Sequence, residues 1–416
     1  MKSNQKKAVL FVPFWRQENH VGCYRVDRFL RWLTEEGYSI VMIRAGRMDG
    51  HTKEPWGEEI TIRDPLGFFP EPMPGSAQVS IRKPNKLRRS VACWVFSPDP
   101  TIIWARKASS DPRVLEAARG ADVILSSSPP DSVHVGAWLL SRRLNIPHIV
   151  DLRDGWLDEP LRPLLRTSAL RRWRERRLEA PILRDARAIQ VTSDVWKALL
   201  CDRYPELAQK VRVLTNGYPR HSTDSAPAPI RKGDTGLLLI HAGSFTGSRP
   251  TQSPDLLLEP LLQHLSQHPS SGIIQLIGAL SKAEMAMIDP YRERFSAIRW
   301  KVECLGKLAR SEVLVRLSKA DGLLLLAATR AAIPSKLFEY IPTGKPLFVV
   351  THRGSAVWDI CSSLPQAVLV ESASREVASA ASTRREPWYR NPSFFIPPQF
   401  SEESLGKLFK TISLGK

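Results

Sequence analysis

The stretch Ile333-Pro-Ser-Lys-Leu-Phe-Glu-Tyr-Ile-Pro-Thr-Gly-Lys-Pro346 indicates both the fold and the chemistry of the chain. An apolar run at 321–326 precedes it and another at 346–350 follows, so we predict a buried strand, a short helix and a further strand. The first N–H groups of a helix are unpaired and lie at the positive end of its dipole, where anions bind. We therefore expect an anion at the start of this helix.

Lys336 and Glu339 lie in or just after the first turn of the same helix. A carboxylate would repel an anion, but its two oxygens suit the two hydroxyls of a vicinal diol. An anion beside a diol describes a ribose diphosphate, so we interpret the segment as a nucleotide-sugar site. A solvated helix face is the alternative, and one short helix does not decide between them. A capping box does not explain Glu339, because it would require the acid at Phe338.

Length and composition exclude several classes of protein. The 416 residues predict two or three domains, and no apolar run approaches the ~20 residues of a membrane helix. The apolar run 8–15 resembles a signal peptide superficially, but it is too short, and Arg16 and Glu18 follow it. The five scattered Cys form neither a disulfide framework nor a CxxC metal pair, so we expect the cytoplasm.

The net charge of +18 predicts an anionic partner: a phosphorylated substrate, an anionic bilayer surface or nucleic acid. The densest basic stretch is 162–187, whose arginines fall on more than one side of a helical wheel. It is therefore not a clean membrane-binding stripe, and a solvated helix is the alternative. We expect no nucleic-acid partner, because no recognised nucleic-acid module occurs. The inner face of the plasma membrane is the alternative to a free cytoplasmic location.

The order of elements predicts a parallel α/β fold from the start of the chain. A strand at 8–15 precedes a helix with apolar positions at Val26, Phe29, Leu30 and Leu33, and a strand at 38–43 follows. Residues 44–115 are rich in proline, and we expect them to be irregular and to shape a pocket or touch a membrane. Further predicted strands are 122–126, 148–152, 188–192 and 211–214, and further predicted helices are 132–144, 171–184 and 194–202.

A second strand–helix series follows a segment rich in proline, serine and charge. We predict a first domain at 1–217, a linker at 218–235, a second domain at 236–385 and a C-terminal segment at 386–416. Two doubly wound, Rossmann-like domains would face each other across a cleft at the carboxyl ends of their sheets, where such folds bind ligands. The predicted strands of the second domain are 237–242, 273–277, 302–305, 322–326, 346–350 and 367–370.

Sequence motifs span nearly the whole chain. The first domain contains Phe96-Ser-Pro-Asp-Pro, Trp104, Asp122-Val-Ile-Leu-Ser-Ser-Ser-Pro-Pro, His134, Ile146-Pro-His-Ile-Val-Asp-Leu-Arg-Asp-Gly-Trp and Val211-Arg-Val-Leu-Thr-Asn-Gly-Tyr. The second contains His241-Ala-Gly-Ser-Phe-Thr-Gly-Ser-Arg, Leu305-Gly and Ile333-Pro-Ser-Lys-Leu-Phe-Glu-Tyr, with Gly344-Lys-Pro. In this order they resemble the large group of retaining GT-B glycosyltransferases (family four, group 1-like) that build bacterial polysaccharides and glycolipids.

The resemblance implies that the second domain binds the nucleotide-sugar donor. Glu339 would bind the ribose hydroxyls, and Arg249 would bind a phosphate. Gly243 lets the backbone approach a diphosphate closely. The family often has a second glutamate where this chain has Ala331, and a lysine about five residues after Arg249, where it has none. We therefore expect Lys336 to supply the second cation. The expected donor residues are Gly243, Ser244, Phe245, Arg249, Ser335, Lys336, Leu337 and Glu339.

The resemblance also implies a saccharide or lipid-linked acceptor bound to the first domain. The expected acceptor residues are Gly22, Tyr24, Arg25, His134, Arg153 and Asp154. For His134 a structural role is the alternative, and Arg153 and Asp154 could form an ion pair that fixes a loop. In the family the last helix crosses back to the first domain, and we expect this of the helix that begins near Glu402.

The chemistry of sugar transfer requires stabilisation of the negative charge that develops on the leaving diphosphate. Arg249 and Lys336 suit this task, and His134 and Asp154 complete the expected catalytic set. We expect no metal or other cofactor, because no Asp-x-Asp motif and no His/Cys ligand cluster occurs. Two alternatives stay open: a nucleotide-sugar 2-epimerase on the same fold, and a catalytically degenerate basic binding protein.

Overall fold

A computed structural model describes residues 5–13, 15, 21–68, 92–158, 168–218, 236–246, 252–268, 270–372, 389 and 394–415. The chain divides into two compact units. The first comprises Met1–Thr215 together with Gly406–Lys416, and the second comprises Asn216–Leu405. Each unit is built around its own sheet.

The first unit contains an eight-stranded sheet with the order β3-β4-β2-β1-β5-β6-β7-β8. Neighbouring strands are parallel except β3 and β4, which form an antiparallel hairpin. The strands are β1 (Lys7–Phe11), β2 (Ser39–Gly46), β3 (Gly50–Glu54), β4 (Gly57–Arg63), β5 (Val123–Ser128), β6 (His148–Leu152), β7 (Ala188–Val191) and β8 (Val211–Val213). The helices are α1 (Val21–Glu35), α2 (Ile102–Ser110), α3 (Pro112–Ala118), α4 (Ser132–Leu144), α5 (Ala169–Asp185) and α6 (Asp194–Arg203).

The second unit contains a six-stranded parallel sheet with the order β11-β10-β9-β12-β13-β14. Its central strand β12 is buried along its whole length, as expected of a strand covered on both faces. The strands are β9 (Leu237–Ala242), β10 (Gly272–Ile277), β11 (Trp300–Gly306), β12 (Gly322–Ala327), β13 (Leu347–Thr351) and β14 (Ala367–Glu371). The helices are α7 (Asp255–Gln267), α8 (Lys282–Ala297), α9 (Arg310–Lys319), α10 (Ser335–Tyr340) and α11 (Ala356–Ser362).

The expectation that 44–115 is irregular is wrong for the described part of that range. It contains the hairpin β3–β4 and the helices α2 and α3. Its prolines are compatible with these elements, since Pro112 occupies the first turn of α3, where no intrahelical N–H bond is needed. Trp104 is fully buried and donates its indole N–H to Ile62 O (3.1 Å), so it belongs to the core. Residues 69–91 lie outside the described residues.

The last helix, α12 (Glu402–Phe409), continues into the π-helical segment Lys410–Leu414. From Gly406 onward these residues belong to the first unit. The Phe409 ring is fully buried and lies 5.2 Å from the Phe29 ring and 5.3 Å from the Trp32 ring, both on α1. Across the described ranges, none of the helices combines the length and apolar character needed to cross a bilayer.

Candidate functional site

The predicted donor residues that meet in the second unit lie at the carboxyl end of β9. Gly243 follows this strand with φ +122, a conformation that L side chains rarely adopt. A Cβ atom at this position would lie 3.1 Å from Lys336 Nζ, which comes from α10. Gly243 is therefore required both for its backbone conformation and for the room it leaves to the lysine.

The Lys336 ammonium is oriented by His241. Nζ lies 3.5 Å from His241 Nε2, and His241 Nδ1 lies 3.0 Å from the carbonyl oxygen of Leu324. A carbonyl can only accept, so Nδ1 carries the proton and Nε2 presents its lone pair to the lysine. Burial lowers the pKa of His241 well below its usual value, which keeps the ring neutral. The sequence did not predict this partner, because 95 residues separate the two.

The surroundings of the Lys336 ammonium favour the binding of an anion. Burial lowers its pKa to about 8, and the charge of Glu339 offsets part of that shift. Among the described residues no carboxylate lies within ion-pair distance of Nζ. A half-buried ammonium without a counterion is costly, and an incoming phosphate oxygen would remove that cost.

Glu339 lies on the same helix and pairs with Arg310. Arg310 Nη2 donates to Glu339 Oε1 at 2.8 Å, and the Glu339 side chain retains 19% exposure. A carboxylate has about four acceptor positions, so this contact leaves capacity for a diol. Arg310 is the first residue of α9 and was not singled out in the sequence. Only the folded arrangement of α9 and α10 brings it to Glu339.

Backbone contacts position this edge of the sheet. Tyr340 at the end of α10 accepts a hydrogen bond from Ala242 N (2.8 Å), which ties the helix to the end of β9. Gly243 N donates to Ile277 O (2.7 Å), and Gly278 N donates to Gly306 O (2.8 Å). Gly278 permits this packing, because a Cβ there would lie 2.6 Å from Gly243 O. The result is a rigid backbone edge beside Lys336.

Two of the expected donor residues are too buried to contact a ligand directly. Phe245 is 1% exposed and stacks on the His241 ring (4.5 Å between centroids, 10° between planes). Leu337 is fully buried in the core of the second unit. Ser244 and Ser335 are half-buried at the edge, and Arg249 lies outside the described residues. Helix α10 has six residues and no side-chain cap, so its dipole is short and Lys336 supplies the main positive charge.

On the first unit, Arg25 is a structural residue rather than an acceptor-binding one. It is 4% exposed and forms a buried ion pair with Asp151 (Nη2 to Oδ1, 2.6 Å). Arg25 Nη2 also donates to Leu214 O (2.7 Å), and Ser127 Oγ donates to Asp151 Oδ2 (2.7 Å). The expectation for Arg25 is therefore corrected, since its guanidinium joins α1, β6 and the end of β8.

Gly22, Arg153 and the Ser-Pro-Pro turn that begins at Ser128 meet at the carboxyl ends of β5 and β6. Arg153 donates to Ser128 O (2.6 Å) and Pro129 O (3.1 Å), so its guanidinium lies along the Ser-Pro-Pro turn. A Cβ atom at Gly22 would lie 2.3 Å from Arg153 Nη1. Gly22 therefore leaves room for the Arg153 guanidinium. Burial lowers the pKa of Arg153, and the neighbouring Asp154 opposes that shift.

His134 does not have the exposure that a catalytic base would need. It is fully buried, and its Nδ1 lies 2.7 Å from Ser126 Oγ, which also bonds His148 Nε2 (2.7 Å). Burial lowers the pKa of His134 well below its usual value, and that of His148 to about 3. The structure thus supports the structural alternative for His134. Of the expected acceptor residues, Asp154 is half-buried and Tyr24 is 38% exposed.

Within the described residues, no group of three or more His, Cys, Asp or Glu could hold a metal ion. The edge at the end of β9 and the edge at the ends of β5 and β6 both present cations, carboxylates and backbone polar groups. Such a set suits the binding of phosphates and sugar hydroxyls.

Comparison with known proteins agrees with this chemistry. Residues 23–217 match the family described as the glycosyl transferase 4-like domain. This match covers slightly less than half of the chain, and together with the solved structures below it confirms the resemblance to GT-B glycosyltransferases. None of the curated proteins compared with the chain matches it.

Solved structures show that the whole chain has the GT-B fold. Sucrose-phosphate synthase from Thermosynechococcus elongatus is 14% identical, with 99% of this chain and 97% of that chain covered and a TM-score of 0.57. Anabaena HepE in complex with UDP and glucose is 11% identical, with 99% and 100% covered and a TM-score of 0.56. A UDP-forming trehalose-phosphate synthase from Burkholderia xenovorans, in complex with glucose-6-phosphate, is 13% identical, with 88% and 89% covered and a TM-score of 0.56.

Proposed function

We propose that this protein transfers a sugar from a nucleoside-diphosphate sugar to a saccharide or lipid-linked acceptor, with retention of configuration. The observation that carries the proposal is the half-buried Lys336 ammonium, held beside Gly243 and His241 without a carboxylate counterion among the described residues. The proposed setting is bacterial polysaccharide or glycolipid synthesis, which follows from the family resemblance, in the cytoplasm, which follows from the scattered cysteines.

The donor would bind at the edge formed by β9 and α10. Lys336 would contact the diphosphate, and Glu339 would accept hydrogen bonds from the ribose diol. Gly243 has no side chain to block the diphosphate. Arg249, which lies outside the described residues, is expected to bind the diphosphate together with Lys336. UDP is the first nucleotide to test, because the HepE structure contains UDP.

The transfer step breaks the bond between the sugar C1 and the diphosphate oxygen and forms a bond from C1 to the acceptor oxygen. The acceptor hydroxyl proton passes to the departing phosphate oxygen, which leaves on the same face of the sugar. Lys336 stabilises the charge on that oxygen, and loss of one such contact typically costs on the order of 10²–10³ in rate. Asp154, the half-buried acid after β6, would orient the acceptor hydroxyl.

Thermal-shift measurements with UDP-, GDP- and dTDP-sugars test the donor site. A ligand at a hundredfold excess over its Kd raises the free energy of unfolding by about 2.7 kcal/mol. The shift should disappear in Lys336→Met and weaken in Glu339→Gln, and it should persist in the control Lys319→Met, an exposed lysine on α9. Absence of any nucleotide-sugar shift, or an unchanged shift in Lys336→Met, would contradict the proposal.

Product analysis then separates transfer from its alternatives. Nuclear magnetic resonance of the product should show the anomeric configuration of the donor, joined to the acceptor. An inverted linkage would reject retention. A nucleotide sugar with altered configuration at C2 and no acceptor consumed would identify an epimerase instead.

A further inference from the structure

Helix α5 carries large apolar side chains on its exposed face. Leu170 is 59% exposed and Trp173 is 50% exposed, although both lie in the first two turns of a regular helix. The opposite face is buried and contains Arg171, Glu175 and Glu179. Removing a tryptophan side chain from water is favourable. An exposed tryptophan and leucine on one helix face therefore indicate a surface that binds a partner.

Arginines surround these two side chains. At 100° per residue, Leu170, Trp173 and Arg177 fall within about 60° of each other on the helix surface. Arg174 lies on one side of this group and Arg176 on the other, and all three arginines are exposed. The Arg177 guanidinium lies 4.1 Å from the centroid of the Trp173 ring. We name Leu170, Trp173, Arg174, Arg176 and Arg177 the α5 face.

The acidic residues in this part of α5 are directed into the protein. Glu175 is fully buried and accepts hydrogen bonds from Arg171 Nε (2.6 Å) and Trp156 Nε1 (2.8 Å). Glu179 is also fully buried and pairs with Arg203 (3.2 Å). In this part of α5 both carboxylates are therefore buried, and the exposed charged side chains are arginines. The helical wheel of the sequence did not show this, because it could not distinguish the buried Arg171 from the exposed arginines.

A second segment of the first unit also exposes large apolar side chains. Trp94 is 64% exposed and Val95 is 63% exposed, within a helical turn at 92–95. Arg171 Nη2, on the buried face of α5, donates to Pro98 O (2.6 Å), three residues after Val95. The first unit therefore exposes apolar side chains in this second segment as well as on the α5 face.

We propose that the α5 face docks on an anionic lipid bilayer. Trp173 and Leu170 enter the boundary between headgroups and acyl chains, where an indole ring and an apolar side chain both gain. The flanking arginines contact lipid phosphates. Nucleic acid explains the arginines but not a leucine and a tryptophan at the centre of the patch, because bases stack on aromatic rings and gain little from leucine. This proposal does not depend on the transferase activity.

Co-sedimentation of the full chain with vesicles tests the proposal. Binding to phosphatidylcholine vesicles that contain phosphatidylglycerol should exceed binding to phosphatidylcholine alone, and should fall as salt shortens the Debye length. An arginine near a membrane surface contributes about fivefold in affinity. Replacement of Arg174, Arg176 and Arg177 by Gln should therefore weaken binding on the order of 100-fold.

A separate variant tests how much the apolar side chains contribute to vesicle binding, and a second one controls for the change in net charge. Leu170→Ser with Trp173→Ser should weaken binding about tenfold at unchanged net charge. Removal of three exposed arginines elsewhere, by Arg106→Gln, Arg119→Gln and Arg353→Gln, lowers the net charge equally and should have a small effect. An unchanged unfolding temperature in each variant shows that the fold is retained.

Three outcomes would overturn the proposal. The first is equal binding to neutral and anionic vesicles. The second is an equal loss in the control variant, which would indicate a diffuse effect of net charge. The third is complete displacement from vesicles by duplex DNA that binds more tightly and still binds the double-serine variant, which would identify nucleic acid as the partner.

Discussion

His241 Nε2 lies 3.5 Å from Lys336 Nζ, and the imidazole presents a lone pair to the ammonium rather than a second positive charge. Since burial keeps His241 neutral, the lysine gains an acceptor without gaining a counterion. The Lys336 ammonium therefore keeps a positive charge that an anionic ligand can neutralise. Two properties of the protein, its donor affinity and its stability, should depend on this arrangement.

Donor binding should weaken above pH 8. Lys336 has a pKa of about 8 in the free protein, and a bound diphosphate would raise it. The Kd for the donor nucleotide should therefore be insensitive to this lysine below pH 8 and rise up to tenfold per pH unit above it. Titration calorimetry between pH 7 and 10 measures this. Lys336→Met serves as the control, and its weak binding should show no such rise.

Replacing Lys336 should stabilise the ligand-free protein. The folded pKa of about 8 lies below the ordinary lysine value of 10.5, so the unfolded state binds more protons between these two pH values. The lysine therefore destabilises the fold below pH 8, and this cost disappears as the pH rises towards 10.5. Lys336→Met should raise the free energy of unfolding at pH 7 by at most about 3 kcal/mol.

Urea unfolding of both proteins at pH 7 and pH 10 measures this difference. The gain should be smaller at pH 10 than at pH 7. A destabilised Lys336→Met protein at pH 7 would mean that the packing of the lysine stem outweighs its electrostatic cost.

Gly22→Ala should impair the acceptor side while sparing the donor side. The added Cβ would lie 2.3 Å from Arg153 Nη1, so the guanidinium must leave the Ser128 and Pro129 carbonyls. We expect kcat/KM for the acceptor to fall about tenfold or more with nucleotide affinity unchanged. Gly50→Ala is the matched control, because its Cβ would meet neighbours no closer than 3.6 Å. Equal effects of both substitutions would contradict the proposed role of Gly22.

Asp151→Asn should strongly destabilise the first unit. It leaves the Arg25 guanidinium, which is 4% exposed, without its buried carboxylate partner. Breaking a buried pair in this way costs about 3–5 kcal/mol. The control Glu312→Gln breaks the exposed pair with Arg316 (2.9 Å) and should cost under about 1 kcal/mol. Denaturant titration compares the free energies of unfolding of the two variants. Similar losses of stability would show that the buried Arg25–Asp151 pair stabilises the protein no more than an exposed pair does.

Phe409→Ala tests the attachment of the C-terminal segment. Phe409 is fully buried against α1, and truncation of a buried phenylalanine costs about 3–5 kcal/mol. Its neighbour Leu408 is 40% exposed, so Leu408→Ala should have little effect. Calorimetric unfolding should show the loss in Phe409→Ala alone. A small effect there would mean that the first unit does not need this segment.

Periodicity predicted much of the fold and little of the site. Helix Ser132–Leu144 and strand His148–Leu152 have the predicted bounds, because helical periodicity and compact apolar runs define such elements well. The hairpin Gly50–Arg63 was missed, because its β3 strand is polar and a proline turn joins it to β4.

The partners of the site side chains could not be predicted, because they lie far apart in the sequence. Asp151 and Arg25 are 126 residues apart, and His241 and Lys336 are 95 apart. Only the sheet order brings such residues together, and no local pattern encodes it. Single-residue expectations such as those for Arg25 and His134 therefore assigned ligand contacts to side chains that the fold uses internally.

The return of Gly406–Lys416 to the first unit has a practical consequence for anyone dividing this gene. Ser413 Oγ accepts a hydrogen bond from Gln190 Nε2 (2.7 Å) in the buried interior, far from it in the order of synthesis. These contacts form only after residues 406–415 have been synthesised, so the first unit cannot complete its fold before the second unit has been translated. An expression fragment that stops at Thr215 should be joined to residues 406–416 through a short linker, because otherwise Phe29 and Trp32 of α1 lose the Phe409 ring that covers them.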